Sequence, residues 1–492
     1  MDTKMEKLFW DLFNAEDENV LHEIVLSNKL MANAENWFPY GGNSMEDRSN
    51  FSTFENQQPE PIPALVEKIT NSIDSLLLKE CRLSGVNPKS SEAPKTLKEA
   101  VEKYFRIKNG DFSEIAIGDR REIAENIQII ATGDREKPNL LIYDNGEGQD
   151  PKDFPNTFLS LRRRNKTDIH FVQGKYNMGS TGAVVFCGQH HYQLIASKLT
   201  RGLSTAGSNE FGFTLVRQHP FTKEEEESGF FITWYEYFRV NGIVPSFPIV
   251  KIDVGLWEDK QFVTGSLVKL YSYQLPRGSK SDITLDLWRD LNQYLYSPAL
   301  PIMLYEKRFT KGKSPSKLML GNKTRIIIDE RDKKEKTIPI SIITEELGRV
   351  EIEATVFKPD VQEKEFIKDK AVNFSLNGQV HRALPRRFIS YDLKFSMLRD
   401  SLLINVDCTN MRNSARMDLF MANRYNMKEG ELYERFIEKL IQVISSNESL
   451  IEINQLRKSR LMREKSGDKE ILTSIINSGD YILDKCSQFC YA

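Results

Sequence analysis

Residues 61–81 read PIPALVEKITNSIDSLLLKEC, and the rest of the chain is read outward from this stretch. It predicts one helix with two distinct faces. Pro61 and Pro63 suit its entry and first turn, where a missing N–H costs little. At about 100° per residue, Glu67, Asn71 and Asp74 fall within roughly 60° of one another. Leu65, Ile69, Ile73 and Leu76 project from the opposite side. Taken alone, the polar face fits a solvated surface as well as it fits a site.

The chain has 492 residues and a net charge of −2, enough length for two or three domains with ample core. That balance neither supports nor excludes nucleic acid, since local patches can hide in a neutral total. The five cysteines (Cys81, Cys187, Cys408, Cys486 and Cys490) are odd in number and scattered, as in a reduced, cytoplasmic protein. No histidine stands beside Cys486 and Cys490, so no zinc site is expected there. The charged N-terminus predicts neither a signal peptide nor an anchor. No stretch reaches the roughly 18 apolar residues of a membrane span, so no membrane partner is expected and the cytoplasm is the default location.

In chain order, residues 1–35 predict one or two short helices with Leu8, Phe9, Leu12 and Phe13 on one face. Residues 38–60 are rich in Gly, Ser, Asn and Pro and predict a loop or strap. Phe51 and Phe54 would pin it to a neighbour; alternatively it covers a ligand or reaches a second subunit. After the opening helix come a helix at 97–107 and a strand at 125–133. NLLIYDNGEGQD (139–150) is an apolar strand run ending in Asp144, Asn145, Gly146, Glu147 and Gly148. Two glycines separated by one residue after a buried strand let the backbone pass close to something. Arg162, Arg163, Arg164 and Lys166 form a basic run, either a solvated helix end or a phosphate contact. QGKYNMGSTGAVVFCG (173–188) then places Gly174, Gly179 and Gly182 in a loop that opens an apolar stretch. Free N–H groups at such a loop suit an anion, and Lys175 adds charge.

Farther on, strands are expected at 191–199, 210–218, 229–238 and 265–273, in a largely antiparallel sheet. The run Glu224–Glu227 reads as a solvated hairpin end. Residues 276–336 interleave Lys307, Arg308, Lys311, Lys313, Lys317, Lys323 and Arg325 with Tyr294, Tyr296, Tyr305 and Phe309. This region is either a nucleic-acid surface or a plain soluble face. A hairpin is expected from 338 to 357, a strand with a turn at Asn377-Gly378 from 371 to 381, and a strand at 401–407. Helices are expected at 417–427, 431–446 and 450–465.

Three motifs now stand in order: ExxxNxxD on a helix, DxGxG after a strand, and a glycine loop before a helix. Together they resemble the GHKL superfamily of ATP-binding proteins, named for gyrase, the large heat-shock chaperone, histidine kinases and MutL. GSLVKL at 265–270 is similar to the family's closing strand motif, with Ser266 where threonine is usual. The resemblance implies an α+β fold. A Bergerat-type α/β sandwich ATP-binding domain at 45–275 would follow N-terminal helices at 1–44. An α/β transducer-like domain at 276–445 and a helical C-terminal tail at 446–492 would complete the chain. It also implies that Glu67 is the general base orienting the attacking water and that Asn71 ligates Mg²⁺. Asp144 would accept the adenine amino group, and Gly146 and Gly148 would leave room for the base. Gly179, Ser180, Thr181 and Gly182, with Lys175, would cradle the phosphates. Asp74 matches a second acidic position that is more structural than chemical, and Ser75 stands where alanine is common. The chemistry suits these residue types: a carboxylate takes a proton from water, an amide oxygen suits hard Mg²⁺, and phosphoryl transfer needs positioning and charge neutralisation.

The implied function is an ATP-binding and ATP-hydrolysing conformational switch, a slow Mg²⁺-dependent ATPase. It would work as a homodimer joined through the strap, acting on a partner protein or on DNA through 276–336. A lysine or arginine near the crossover would contact the γ-phosphate; Arg412, Arg416, Lys364, Lys368 and Lys370 are the candidates. One alternative is a nucleotide-sensing interaction protein with little hydrolysis. Another is a histidine-class kinase, against which Glu67 argues, since only His22 precedes the ATP-binding region. A further resemblance, to ATPase components of bacterial defence gene clusters, has no motif of its own and implies a role in antiviral defence.

Overall fold

The computed structural model describes residues 2–161, 168–174, 181–203, 209–229, 232–309, 314–362, 365–421 and 426–463. The chain is mixed α+β and carries two sheets. It divides into two compact units. The first comprises Met1–Arg331 with the short segments Ser375–Arg382 and Phe420–Met427; the rest forms the second.

The first unit opens with helices α1 (Asp2–Asn14) and α2 (Glu18–Ser27). The Asp17 side chain caps α2 by accepting from the N–H groups of Asn19 and Val20. Strand β1 (Trp37–Pro39) and helix α3 (Phe51–Glu55) lie in the stretch read as a strap. Then come α4 (Pro61–Leu83), α5 (Leu97–Phe105), α6 (Ile117–Ala124), β2 (Ile127–Gly133) and β3 (Pro138–Asp144). They are followed by β4 (Gln193–Lys198), β5 (Glu210–Gln218), α7 (Lys223–Glu227), β6 (Tyr235–Phe238), β7 (Ser246–Pro248) and β8 (Gly265–Leu270). Helix α8 (Trp288–Tyr294), β9 (Ile302–Glu306), β10 (Ser316–Met319) and α9 (Gly321–Thr324) complete the unit.

Its ten-stranded sheet runs β1-β6-β5-β4-β8-β3-β2-β9-β10, with β7 on β5. Among the described pairings of this sheet only β2–β9 is parallel. Each face of the sheet is covered. Leu65, Ile69, Ile73 and Leu76 of α4 pack with Ile127, Ile129, Leu140 and Ile142 on one side. Met5, Leu8, Phe9 and Leu12 of α1 pack with Leu141, Leu194, Phe213 and Leu267 on the other. The alternation along β3, β4 and β8 serves two apolar layers at once, so these strands are buried on both faces.

Residues 276–331 belong to this first unit, where β9 and β10 extend the sheet. The strap is pinned as its aromatics suggest. Phe54 stacks on Tyr235 at 4.1 Å, and the Asn50 side chain bonds both the N–H and the carbonyl of Tyr235. The acidic run at 224–227 is a helix rather than a bare hairpin end. Thr222 and Glu225 close a capping box, and Glu225 also holds His219.

The second unit carries β11 (Lys334–Thr344) and β12 (Gly348–Phe357), and the chain then forms β13 (Val372–Leu376) and β14 (Gln379–Leu384), whose shared turn lies in the Ser375–Arg382 segment of the first unit. Helix α10 (Arg386–Tyr391), β15 (Leu402–Asp407), α11 (Asn413–Leu419) and α12 (Glu431–Ser445) follow, with a last helix, α13, at 448–463. Its sheet order is β11-β12-β15-β13-β14. Asn377 and Gly378, both at positive φ, make the tight β13–β14 turn. The helix expected at 417–427 ends at Leu419; Phe420 and Met427 form an isolated bridge instead.

Candidate functional site

Helix α4 runs 23 residues and is buried nearly all round. Its first turn takes the two prolines, with Pro61 at the helix start. The solvated-face reading of its polar stripe does not hold. Glu67 is 4% and Asp74 0% exposed, while Asn71 is half-buried. A carboxylate is removed from water only where partners or a ligand replace its hydration.

Asp74 has such partners. Its Oδ1 accepts the backbone N–H of Gln173 at 2.8 Å, and its Oδ2 accepts that of Gly174 at 2.7 Å. The helix thereby anchors the first residues of the glycine loop. Gln173 Nε2 in turn donates to the Asn377 carbonyl at 3.0 Å within the same compact unit. Of the loop itself, Lys175, Gly179 and Ser180 lie outside the described residues. Thr181 is buried, and Gly182 passes against Gln57 and Gln58, where a methyl group would come within 3.1 Å of either side chain. The loop was expected to open a helix. It leads instead into a single 3-10 turn, Val184–Phe186, because Cys187 bridges to Tyr273 and ends the turn.

The turn after β3 packs directly on α4. Asp144 Oδ1 accepts the Gly146 N–H at 3.0 Å, and Ser72 Oγ donates to Oδ2 at a long 3.4 Å. Asp144 is only 7% exposed. The Glu147 N–H donates to the Ser75 carbonyl at 3.2 Å, Lys79 Nζ to the Asn145 carbonyl at 2.8 Å, and Arg82 pairs with Glu147 at 3.0 Å. Burial pulls the Lys79 ammonium below its usual range, while Glu80 and Asp144 push the other way. Gly146 is needed because a methyl group there would stand 1.9 Å from Ser75 Oγ. Gly148 has φ +66° and lies where a methyl group would be 1.9 Å from the Lys198 carbonyl oxygen. Thr200 closes the turn from the other side, its hydroxyl donating to the Gly146 carbonyl at 3.1 Å.

Three stretches far apart in sequence therefore meet along α4. The packing of helix on sheet is less complete at this point, as the exposure of one strand residue shows. Val268 sits on β8 in the middle of the sheet and faces α4, yet it is only half-buried. Ser266, Val268 and Asp144 lie on one wall of this cleft, and Asn71, Ser72 and Ser75 on the helix that faces it.

Two kinds of oxygen, the Glu67 carboxylate and the Asn71 amide, share one face of α4. Among the described residues no group of three or more His, Cys, Asp or Glu could hold a metal ion. A carboxylate and an amide oxygen are both hard donors, of the kind Mg²⁺ takes.

Ser72, Gln173 and Lys79 are not singled out by the sequence. Ser72 and Lys79 sit about 140° and 120° from Glu67 around the helix, off the polar stripe, so the periodicity carried no signal for them.

Elsewhere the sequence candidates fare unevenly. The basic run at Arg162, Arg163, Arg164 and Lys166, the pair Lys311 and Lys313, Lys364, and Cys486 and Cys490 lie outside the described residues. Within 276–336, Arg308 is buried in an ion pair with Glu306, and Arg325 in one with Glu330. Lys317 lies over the Trp288 ring at 3.6 Å. The two arginine side chains are engaged inside the fold rather than displayed, and Lys317 is half-buried. Arg416 donates to the Thr409 carbonyl at 3.2 Å. His22 is stacked on His190 at 3.9 Å and bonded to the Tyr192 hydroxyl. Cys81, Cys187 and Cys408 are free and buried. Among the described residues no helix is long and apolar enough to cross a membrane. No protein-family model matches the chain, and no curated protein matches it significantly.

Proposed function

We propose that this chain is a GHKL-type ATPase with a Bergerat ATP-binding fold, in which the cleft between α4 and the sheet takes ATP with Mg²⁺. The observation that carries this reading is the stitching of three motifs onto one helix. Asp74 holds Gln173 and Gly174, Ser72 reaches Asp144, and the Ser75 carbonyl receives Glu147. In this reading Asp144 accepts the amino group of the base. Glu67, shielded from bulk water, orients the attacking water and takes its proton. Asn71 offers the metal its one protein amide oxygen, and Thr181 and Gly182 flank the phosphates. Bound Mg²⁺ supplies charge neutralisation on the phosphates. The remaining chemistry is positioning by rigid elements, which is what phosphoryl transfer demands.

Turnover is slow, and the nucleotide cycle serves as a conformational switch in a homodimer that acts on a partner protein or on DNA. The test is calorimetric ATP binding together with phosphate release in Mg²⁺, for wild type and Glu67→Ala. Wild type binds and releases phosphate, and the variant binds without release. Equal inertness with intact binding would leave only a nucleotide sensor. Absence of ATP binding to wild type would overturn the reading.

A further inference from the structure

Strand β3 ends on Asp144, which still pairs with Ile127 of β2 and Ser266 of β8. The next residue, Asn145, lies past the ladder, and hydrogen bonds to three separate segments hold it there. Its N–H donates to the Asn126 carbonyl at 2.8 Å, and its Nδ2 donates to Asn126 Oδ1 at 2.9 Å. Its Oδ1 accepts the Thr264 hydroxyl at 3.2 Å, and its carbonyl accepts Lys79 Nζ at 2.8 Å. Asn126 stands just before β2, Thr264 just before β8, and Lys79 on α4. Asn126 is fixed in turn, its Nδ2 donating to the Ile123 carbonyl of α6 at 3.0 Å.

The peptide unit that follows connects this clamp to the motif carboxylate. The Asn145 carbonyl and the Gly146 N–H point opposite ways within one rigid plane. Lys79 grips the carbonyl, and the N–H donates to Asp144 Oδ1 at 3.0 Å. Turning that plane over would aim a carbonyl oxygen at the carboxylate and lose both bonds. Ammonium, peptide and carboxylate are therefore linked in series, and the peptide sets how the carboxylate is turned. Gly265 closes the other side: it has φ +101°, and a methyl group on it would stand 1.9 Å from the Asp144 carbonyl oxygen.

We propose that Lys79 and Asn145 are positioning residues that set base specificity: they fix the Asn145–Gly146 peptide, and through it the Asp144 carboxylate, in the orientation that accepts an amino group on a purine. This rests on the nucleotide reading above. Neither side chain touches the nucleotide in this assignment; both act through Asp144. An acceptor locked in place by its supporting bonds discriminates more sharply than one free to turn, because a base without a donor then leaves it unmatched.

The test is titration calorimetry of ATP and of purine riboside triphosphate, which lacks the amino group, with wild type, Lys79→Met and Thr264→Val. The two substitutions loosen the Asn145 clamp from different elements, keep side-chain bulk and leave Asp144 in place. Wild type prefers ATP by roughly tenfold or more. Each variant narrows that preference to roughly threefold, because affinity for ATP falls while affinity for the analogue does not. Residues that served stability alone would weaken both ligands by one factor. That result, or an unchanged preference in both variants, would overturn the assignment and leave the nucleotide reading standing. A wild type that binds the two triphosphates equally would overturn the amino-group contact and this assignment with it, but not ATP binding. A wild type that binds neither would overturn both readings.

Discussion

Asp74 Oδ2 accepts the backbone N–H of Gly174 at 2.7 Å, across one hundred residues of sequence. With the matching bond from Gln173 to Oδ1, a single buried carboxylate ties the entry of the glycine loop to the helix that carries Glu67. The loop is held at its start by two charge-assisted bonds, which are stronger than neutral ones. Asp74→Asn keeps the shape but removes the charge and puts an NH₂ against a backbone N–H. The variant should lose about 2–3 kcal/mol in urea unfolding and bind ATP more weakly, with β-sheet circular dichroism unchanged.

Ser75 and Gly146 are complementary by exclusion. A methyl group on Gly146 would meet Ser75 Oγ at 1.9 Å, Ser75 Cβ at 2.5 Å and Asp144 Oδ1 at 2.5 Å. Gly146→Ala should therefore destabilise by about 1–3 kcal/mol and displace the Asp144 carboxylate. Ser75→Gly removes the hydroxyl and the Cβ, and in that background the cost should fall. A double-mutant cycle should show a coupling of at least about 0.5 kcal/mol; strict additivity would mean that the two do not touch.

Lys269 sets a pH dependence. Its ammonium donates to the Phe13 carbonyl and, at 3.0 Å, to the Ala15 carbonyl, closing the end of α1. Burial lowers it to about 7, and no charged group opposes that shift. The unfolded chain thus binds more protons than the folded one between about pH 7 and the ordinary lysine range near 10.5. Stability attributable to this group rises with pH through that window and is lowest below it. Urea midpoints measured from pH 6 to pH 10 should show this rise in wild type. Lys269→Met should flatten it, while also leaving the Phe13 and Ala15 carbonyls without their donor.

Glu306 and Arg308 form a pair with side chains 0% and 1% exposed. Arg308 also donates to the carbonyls of Arg135 and Lys280, each at 2.9 Å, and Glu306 accepts the Ile283 N–H at 3.1 Å. Glu306→Leu should cost about 3–5 kcal/mol, since it leaves a buried guanidinium uncompensated. Adding Arg308→Met should recover much of that loss in the same unfolding measurement.

Much of the architecture was legible along the chain. The apolar alternation of EFGFTLVRQ gave strand β5 at its exact bounds, Glu210–Gln218. Asn377-Gly378 marked a turn, and both residues take positive φ there. The two faces of 61–81 were legible because 3.6-residue periodicity is a local property of the helix. The 3-10 turn at Val184–Phe186 was not legible, because its end is decided by a bridge from Cys187 to Tyr273. The burial of two arginines in the basic region was not legible for a related reason. Composition counts Arg308 and Arg325 as surface charge, whereas burial beside Glu306 and Glu330 removes them from the surface.

The sequence by itself determined the helix, its apolar face, and the order of three short motifs, because these depend on neighbours within a few residues. Only the tertiary structure decided that the polar face of α4 is buried, that Asp74 holds the glycine loop, and that Lys79 holds the Asn145 carbonyl. Those facts depend on which distant backbone groups arrive at each side chain. Desolvation and hydrogen bonding are settled there, after the layers have packed.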